Sequence, residues 1–587
     1  MMISRMIRST PGILTGLWLS ACADQGINPP TLADKNPHPR IVEVDLQAEV
    51  TKTEYKAGVS TTVWSYNGIV PGPTIEANLG DTLVVNFTNN LPEDTTVHWH
   101  GMEVPATMDG SSISQKPVPP GGTFRYEFKL LRASTYWYHP HIRGNRTIEL
   151  GLQGMLIVHD RQGDAALGLP RDEHHLVLDD VLLTGAGKVA DEFPAAPAKR
   201  AAMQVNGREG NTLLVNGRAG QVLRVPRGVP QRLRIVNTSN SRFMRLSIPG
   251  AQLWRIGGDG GLLEAPLAKE AIGTRPAAGH GMPGMAMPDN SQDCAGHHSG
   301  EGGGMMPMDM PMPLVSDPDL DKGVMLTPGE RADMVVVFSG EPGEMIPLEW
   351  HDHKRGRHSA CLNPDGSVFF AHVHDDGKAP PAVLMNFQLS SRPEPVRSRE
   401  YEPPQKLSTI PPIDSKGAAA LPIIFGHGEP DKEGNVSFFV TMEDGKGLAF
   451  KEITPAIAPV VKSGDVRILE VHNLTMGDHN FHLHGFFFQH VETEYINEDM
   501  PAMNRVVPAA VLENKDTIIV PARPGMVKGR SRTITRLAVR FDDTGREGQI
   551  GASGKEPGEN ESGGWLFHCH ILDHAARGMA NFLQVVD

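Results

Sequence analysis

Gly80-Asp81-Thr82-Leu83-Val84-Val85-Asn86-Phe87-Thr88-Asn89 alternates polar and apolar residues as a half-buried strand does. Gly464-Asp465-Val466-Arg467-Ile468-Leu469-Glu470-Val471-His472-Asn473 repeats the pattern. Eighteen and twenty residues beyond Gly80 stand His98 and His100, followed by Gly101; the same offsets from Gly464 reach His482 and His484, followed by Gly485. Trp137-Tyr138-His139-Pro140-His141 then has its counterpart in Trp565-Leu566-Phe567-His568-Cys569-His570. Each copy closes on an apolar run, Gly154 to Val158 and Gly578 to Val585. Two versions of one β unit therefore flank a middle region, whose strand-like runs Leu233 to Val236 and Met334 to Phe338 lack such histidines. That middle region reads as a spacer.

A chain of 587 residues has room for three or four domains. Its net charge of -14 offers no basic footprint, which argues against nucleic acid and anionic membrane surfaces as partners. With 39% hydrophobic residues it is no polytopic membrane protein, and 63 Gly and 48 Pro among short apolar runs favour a turn-rich all-β protein over a helical bundle. Four cysteines are too few for a disulfide scaffold, whereas 25 His and 26 Met point toward metal chemistry.

Arg5 and Arg8 precede an apolar stretch, Ile13 to Ala21, that is too short to span a bilayer and suits an export signal. Its end, Leu19-Ser20-Ala21-Cys22, resembles a bacterial lipobox, which implies a lipid anchor at Cys22 in the periplasmic side of the envelope. Ordinary signal cleavage with Cys22 discarded or left as a free thiol is the alternative. The expected organisation is a signal at 1–22, a Pro- and Asn-rich tether at 23–39, and domains at 40–165, 166–397 and 398–587. Within the second, residues 279–313 form a low-complexity insert with eight Met, three His and many Gly and Pro.

Chance alone would give roughly one His-x-His pair in such a chain, and six are present. Residues two apart on a strand share a face, so the four pairs in the repeated units, His98/His100, His139/His141, His482/His484 and His568/His570, can supply eight convergent imidazoles. So many neutral nitrogen ligands without a carboxylate or thiolate cage suit copper, while zinc would need four ligands. By the same parity Cys569 and His479 point away from that cluster. With His574 and Met579 they make the set of a blue-copper site: two histidines, one cysteine and one methionine. His351, His353, His358, His372 and His374 lack the repeat context and are expected at the surface, with an accessory metal role as the alternative.

These motifs, His98-Trp99-His100-Gly101, His139-Pro140-His141, His479-x-x-His482-x-His484 and His568-Cys569-His570-x3-His574-x4-Met579, resemble those of the three-domain bacterial multicopper oxidases. Asn67 to Pro73 and Pro328 to Asp333 extend the resemblance over nearly the whole exported chain. It implies three cupredoxin-like Greek-key β-sandwiches and four copper ions, one in a blue mononuclear site and three in a trinuclear cluster. By motif position His98 and His482 would hold the single copper of that cluster. His100, His139 and His570 on one side, and His141, His484 and His568 on the other, would hold the bridged pair. The implied activity is one-electron oxidation of a donor coupled to reduction of O2 to water.

Asp109, nine residues beyond His100, matches the family's proton-relay carboxylate, although Asp-Gly is also a common turn pair. Several bacterial relatives carry a glutamate immediately after the histidine corresponding to His574; Ala575 stands here, so a second proton route through that position is not supported, and Asp573 is a weak substitute. Soft thioethers favour Cu(I), so the Met-rich insert points to a cuprous oxidase of copper tolerance. A laccase-like oxidase of phenols or aromatic amines and a copper-sequestering lipoprotein are the alternatives. Cys294 and Cys361 could pair as a disulfide or act as soft ligands, and a monomer is expected.

Overall fold

In the computed structural model, which describes residues 26–586 apart from 271–321, 354, 357, 364, 373–380, 392–400, 442–457, 526–528 and 543–563, the repeated alternation becomes paired strands. Strand Thr82–Asn90 buries Leu83, Val85 and Phe87, and its counterpart Val466–Asn473 buries Leu469 and Val471. Each runs parallel to an earlier strand, Ile41–Lys56 in the first unit and Ala419–His427 in the third. The middle unit has the same feature, Glu173–Val181 beside Gln231–Asn237. A second parallel pair lies in the opposite sheet of every unit: Gly72–Asn78 with Gly154–His159, Gln221–Pro226 with Ala382–Ser390, and Val460–Lys462 with Ala580–Val586.

The fold is therefore all-β, with three sandwiches of one topology. Their facing sheets have four and four strands in the first unit and six and five in each of the others. Each unit encloses its own core, with Phe87, Trp99 and Tyr138 in the first, Leu233, Met334 and Phe387 in the second, and Phe481, Phe567 and Leu583 in the third. Trp99 shows how strand parity divides the labour. Its indole fills the first core while His98 and His100, one residue to either side, present their rings to the other face of the strand.

Residues 26–39, expected as a tether, are bound along the body. Leu32 N–H donates to Thr74 O at 2.9 Å, and the Asn28 side chain accepts His175 N–H at 2.9 Å and donates to Glu173 O at 3.2 Å. The free backbone groups of neighbouring strands supply partners that a solvated tether would lack. The signal and Cys22, the insert 279–313 with Cys294, and His374 lie outside the described residues, as does the side chain of His372. Cys361 is disulfide-bonded to a partner outside the described residues, and Cys569 is a free buried thiol. No helix among the described residues is long and apolar enough to cross a membrane.

Candidate metal centre

Two short antiparallel pairings assemble the histidines. Strand His98–His100 sets His98 opposite His139, and strand His479–Leu483 sets His482 opposite His568. The two sheets meet so that all eight imidazoles of the four pairs form one cluster. His100 stacks on His482 at 3.8 Å between ring centroids and His98 on His484 at 3.9 Å. The ligand nitrogens of His141, His484 and His568 lie within 4.8 Å of one another, as do those of His98, His100 and His139, and those of His98, His482 and His484.

The outer nitrogens of these rings are tied to the protein, which decides what the inner ones present. The Nδ1–H groups of His98, His139, His482 and His568 donate to the carbonyls of Asp109, Pro140, Asp516 and Cys569 at 2.7, 3.0, 2.9 and 2.9 Å. His484 Nδ1–H donates to Asp109 Oδ2 at 2.9 Å. Each Nε2 then carries a lone pair. The Nε2 atoms of His484 and His568 nevertheless face each other at 3.3 Å, a repulsive approach of two acceptors that a cation between them would make attractive. Among the described residues, Nε2 of His98, His139 and His482, Nδ1 of His100 and both ring nitrogens of His570 are buried with no hydrogen-bond partner. Burial, and after it mostly the neighbouring imidazoles, hold His100, His139, His141, His484 and His570 well below the usual histidine range and take His568 down to about 3. The cluster is a set of neutral nitrogen donors lacking an acceptor, which fits a group of metal ions.

Cys569 lies between two rings of that cluster and turns its sulfur to the other side. Its Sγ is 3.6 Å from His479 Nδ1 and 3.7 Å from His574 Nδ1. His574 Nε2–H donates to Val205 O at 3.1 Å and His479 Nε2–H to Thr475 Oγ1 at 2.8 Å, so both Nδ1 lone pairs converge on the sulfur. Met579 is fully buried in the same core, and its carbonyl accepts Cys569 N–H at 3.0 Å. Burial pushes the Cys569 thiol up to about 12, so its proton stays until a thiophilic cation replaces it. A pair of imidazole nitrogens and a thiol sulfur, with the buried Met579 in the same core, suit copper.

Asp109 is buried against the cluster, with Oδ2 on His484 and Oδ1 3.3 Å from His98 Nδ1. Burial works to raise its carboxyl, and His484 and His98 overcome this and hold it well below the usual carboxylate range. Gly110 follows at φ +80°, where a Cβ would run into the Val97 carbonyl, so the turn that aims Asp109 requires glycine.

Sequence reasoning passed over a second buried carboxylate, Asp516. It accepts from His100 Nε2 at 3.1 Å, and Arg331 of the middle unit grips it through both terminal nitrogens. Gly101, at φ +85°, leaves room for this pair; a Cβ there would run into Arg331 Nη2 and Asp516 Oδ2. Asn480 was also missed. Its Oδ1 accepts His570 N–H at 2.9 Å while its Nδ2 donates to Pro328 O at 2.8 Å. The middle region is thus more than a spacer, because Arg331 and Pro328 reach both ligand-bearing units.

Comparison with known proteins adds the family. Two family models described as multicopper oxidase match residues 47–163 and 430–535, the stretches that carry His98 to His141 and His479 to His484. Both stretches match the multicopper oxidase family. Among curated relatives, "Multicopper oxidase mco" of Staphylococcus aureus is 30% identical over 243 residues, 40% of this chain and 51% of that protein. "Laccase-1" of Cryptococcus neoformans var. neoformans is 31% identical over 232 residues, 36% of this chain and 37% of that protein. The chain thus spans about a third to a half of the length of these relatives. The solved multicopper oxidase of Campylobacter jejuni shares the fold at TM-score 0.67 and 22% identity, covering 95% of this chain and 94% of that one. The family match implies copper as the cofactor, in agreement with both donor sets.

Two openings reach the two centres. A cavity of about 670 Å³ is lined by His139, His141 and His568 of the cluster, with Ala575 and Arg577 on its wall. A pocket of only about 10 Å³ reaches His479 and His574 and is walled by Arg355, His358, His427 and Asp478. His358, expected at the surface, is buried there, and His351 and His353 are half-buried. The reason for the difference is tertiary. The hairpin His358–Leu362 and Val368–His372 lies against helix Pro197–Asn206, and His353 pairs with Asp478 at 2.8 Å.

Proposed function

We propose that this protein couples one-electron oxidation of a reducing donor, Cu(I), at the Cys569 centre to four-electron reduction of O2 to water at the eight-histidine centre, in the service of copper tolerance in the bacterial envelope. The observation that carries the reading is Cys569, whose sulfur faces His479 and His574 while its two chain neighbours, His568 and His570, belong to the imidazole cluster. A donor site and an acceptor site are then joined by a few covalent bonds.

Four copper ions, one blue-type at His479, Cys569, His574 and Met579 and three among the eight imidazoles, supply the redox chemistry when bound, so that O2 takes up four electrons and four protons and leaves as two waters. The protein's part is geometry and protons. Carbonyl acceptors fix the imidazole tautomers, Asn480 sets the backbone at His570, and the 670 Å³ cavity admits a small neutral molecule to His139, His141 and His568. Asp109 is the proposed proton relay. Its Oδ2 keeps the His484 Nδ1 proton in place and its Oδ1, which makes no hydrogen bond among the described residues, takes up each incoming proton.

Cu(I) as donor is supported by the Met-rich segment 279–313 and by the narrowness of the pocket over His479 and His574, which has no room for an aromatic ring. The Campylobacter jejuni protein is described as a metallo-oxidase, the same class of donor. A second reading, oxidation of phenols or aromatic amines, is favoured by the likeness to the Cryptococcus protein named a laccase. Export, a lipid anchor at Cys22 and action as a monomer belong to the proposal and rest on the sequence alone.

The test is oxygen uptake by the copper-loaded protein with Cu(I) or a simple phenol, comparing the intact chain with one lacking 279–313. Fast Cu(I) turnover that falls on deletion is the expected result. Phenol turnover unaffected by deletion, with little Cu(I) activity, would establish the laccase reading, and no uptake with either donor would indicate copper sequestration.

A further inference from the structure

The narrow pocket over the Cys569 centre joins two histidines that belong to neither ligand set. His358 opens strand His358–Leu362 at the end of the middle unit, and His427 closes strand Ala419–His427 of the third. Their ring centroids are 6.0 Å apart with the planes at 87°, and both rings line the pocket whose inner wall is His479 and His574.

Two ligands on one ion take this spacing, as do packed rings, and Phe370 stands 5.7 Å from His358 and 5.6 Å from His427. A metal–nitrogen bond of about 2.0 Å on each side, added to the distance from each nitrogen to its ring centre, sets two opposed imidazole centroids about 6 Å apart. Inside the eight-histidine centre, His141 and His568 are 5.3 Å apart and His98 and His482 are 5.9 Å apart by the same measure. His427 is also in a ligating tautomer. Its Nδ1–H donates to Gly428 O at 3.0 Å, which leaves the lone pair on Nε2.

The fixed charges on the pocket wall offset one another. Among the described residues Arg355 is the one fixed cation on its wall and is answered by Glu209 at 3.1 Å, while Asp478 adds a carboxylate oriented by His353 and by the Ala522 N–H at 2.6 Å. Two nitrogen donors fall short of the four that zinc takes, whereas closed-shell Cu(I) accepts two. At about 10 Å³ the pocket holds a single small ion or water.

We propose that His358 and His427 form a binding site for one Cu(I) ion directly over the His479 and His574 edge of the Cys569 centre. The proposal rests on Cu(I) being the donor and names the residues that hold it. An ion there loses one electron to the Cys569 centre and departs as Cu(II). Four such losses match the four electrons taken by one O2.

The probe is Ag(I), a redox-silent mimic of Cu(I), soaked into crystals of the copper-loaded full-length protein. Anomalous difference density between His358 and His427, absent in His427→Gln, is expected. In solution His358→Gln and His427→Gln should each raise KM for Cu(I) about tenfold or more and change kcat less than about threefold, with the visible absorption of the Cys569 centre reporting that the fold is kept. Density elsewhere but not between these rings overturns the site even if Cu(I) is oxidised. An unchanged KM in both variants overturns its role in donor binding. Silver bound between the rings of a protein that does not oxidise Cu(I) would leave the site standing and overturn the donor reading instead.

Discussion

Arg331 of the middle unit binds Asp516 of the third through two nitrogens, and the carboxylate it holds accepts a hydrogen bond from His100 of the first. All three side chains are fully buried. One ion pair therefore couples the three units at the histidine cluster. Burial alone would raise the Asp516 carboxyl; Arg331, His100 and His482 hold it well below the usual range.

Asp516→Asn should break this junction. It leaves the buried Arg331 guanidinium with Asp259, at 3.4 Å, as its remaining charge partner among the described residues, a loss of about 3 kcal/mol in stability. It also removes the charged acceptor of His100 Nε2–H, while His482 keeps its bond to the main-chain carbonyl at position 516, so the copper content per chain should fall. Urea unfolding and metal analysis check both; a variant of unchanged stability and full copper content would show that the pair is dispensable.

Asp109→Asn keeps the size of the side chain and removes the proton acceptor beside His484. O2 reduction should slow by about 10²-fold, the usual scale for loss of a positioned acid or base. Anaerobic reduction of the Cys569 centre by the donor should proceed at the wild-type rate. If both steps slowed equally, Asp109 would be structural rather than a relay.

Cys569→Ser should abolish the intense visible absorption and bring oxygen uptake to background with every donor. Copper bound by the eight imidazoles should remain, because His568 and His570 are held by their own carbonyl and Asn480 contacts. Retention of donor-driven oxygen uptake in this variant would contradict the proposed route.

Glu149 supplies a pH dependence away from the ligands. Its carboxylate accepts Leu182 N–H at 2.9 Å and Asn240 Nδ2 at 2.7 Å, and burial raises its pKa from 4.5 to about 7. Below pH 4.5 it is protonated whether folded or unfolded and contributes no slope. Between there and about 7 only the unfolded chain gives up the proton, so stability falls as pH rises, by about 3 kcal/mol in all. Glu149→Gln removes this slope. The stability of the variant relative to wild type should therefore improve between about pH 5 and about pH 8, read from unfolding midpoints at the two pH values; a gap that stays constant would mean that Glu149 ionises freely in the folded protein.

Strand periodicity and histidine spacing by themselves determined the all-β repeat, the shared face of each His-x-His pair, and the opposite heading of Cys569. Parity is a local property of an extended chain, and a period of two residues is written in the order of the side chains. The middle unit shares the topology of its neighbours without sharing their histidines, so its kinship was implied by the family resemblance and not by its own periodicity, and its parallel strand pairs bear it out. Only the tertiary structure decided which faces meet. Asp516 is 416 residues from His100 and 185 from Arg331, and His358 and His427 come from different units. Such contacts depend on how three separately folded sandwiches dock, where burial makes unpaired charges costly and selects partners by position in space, and no local pattern in the chain records that choice.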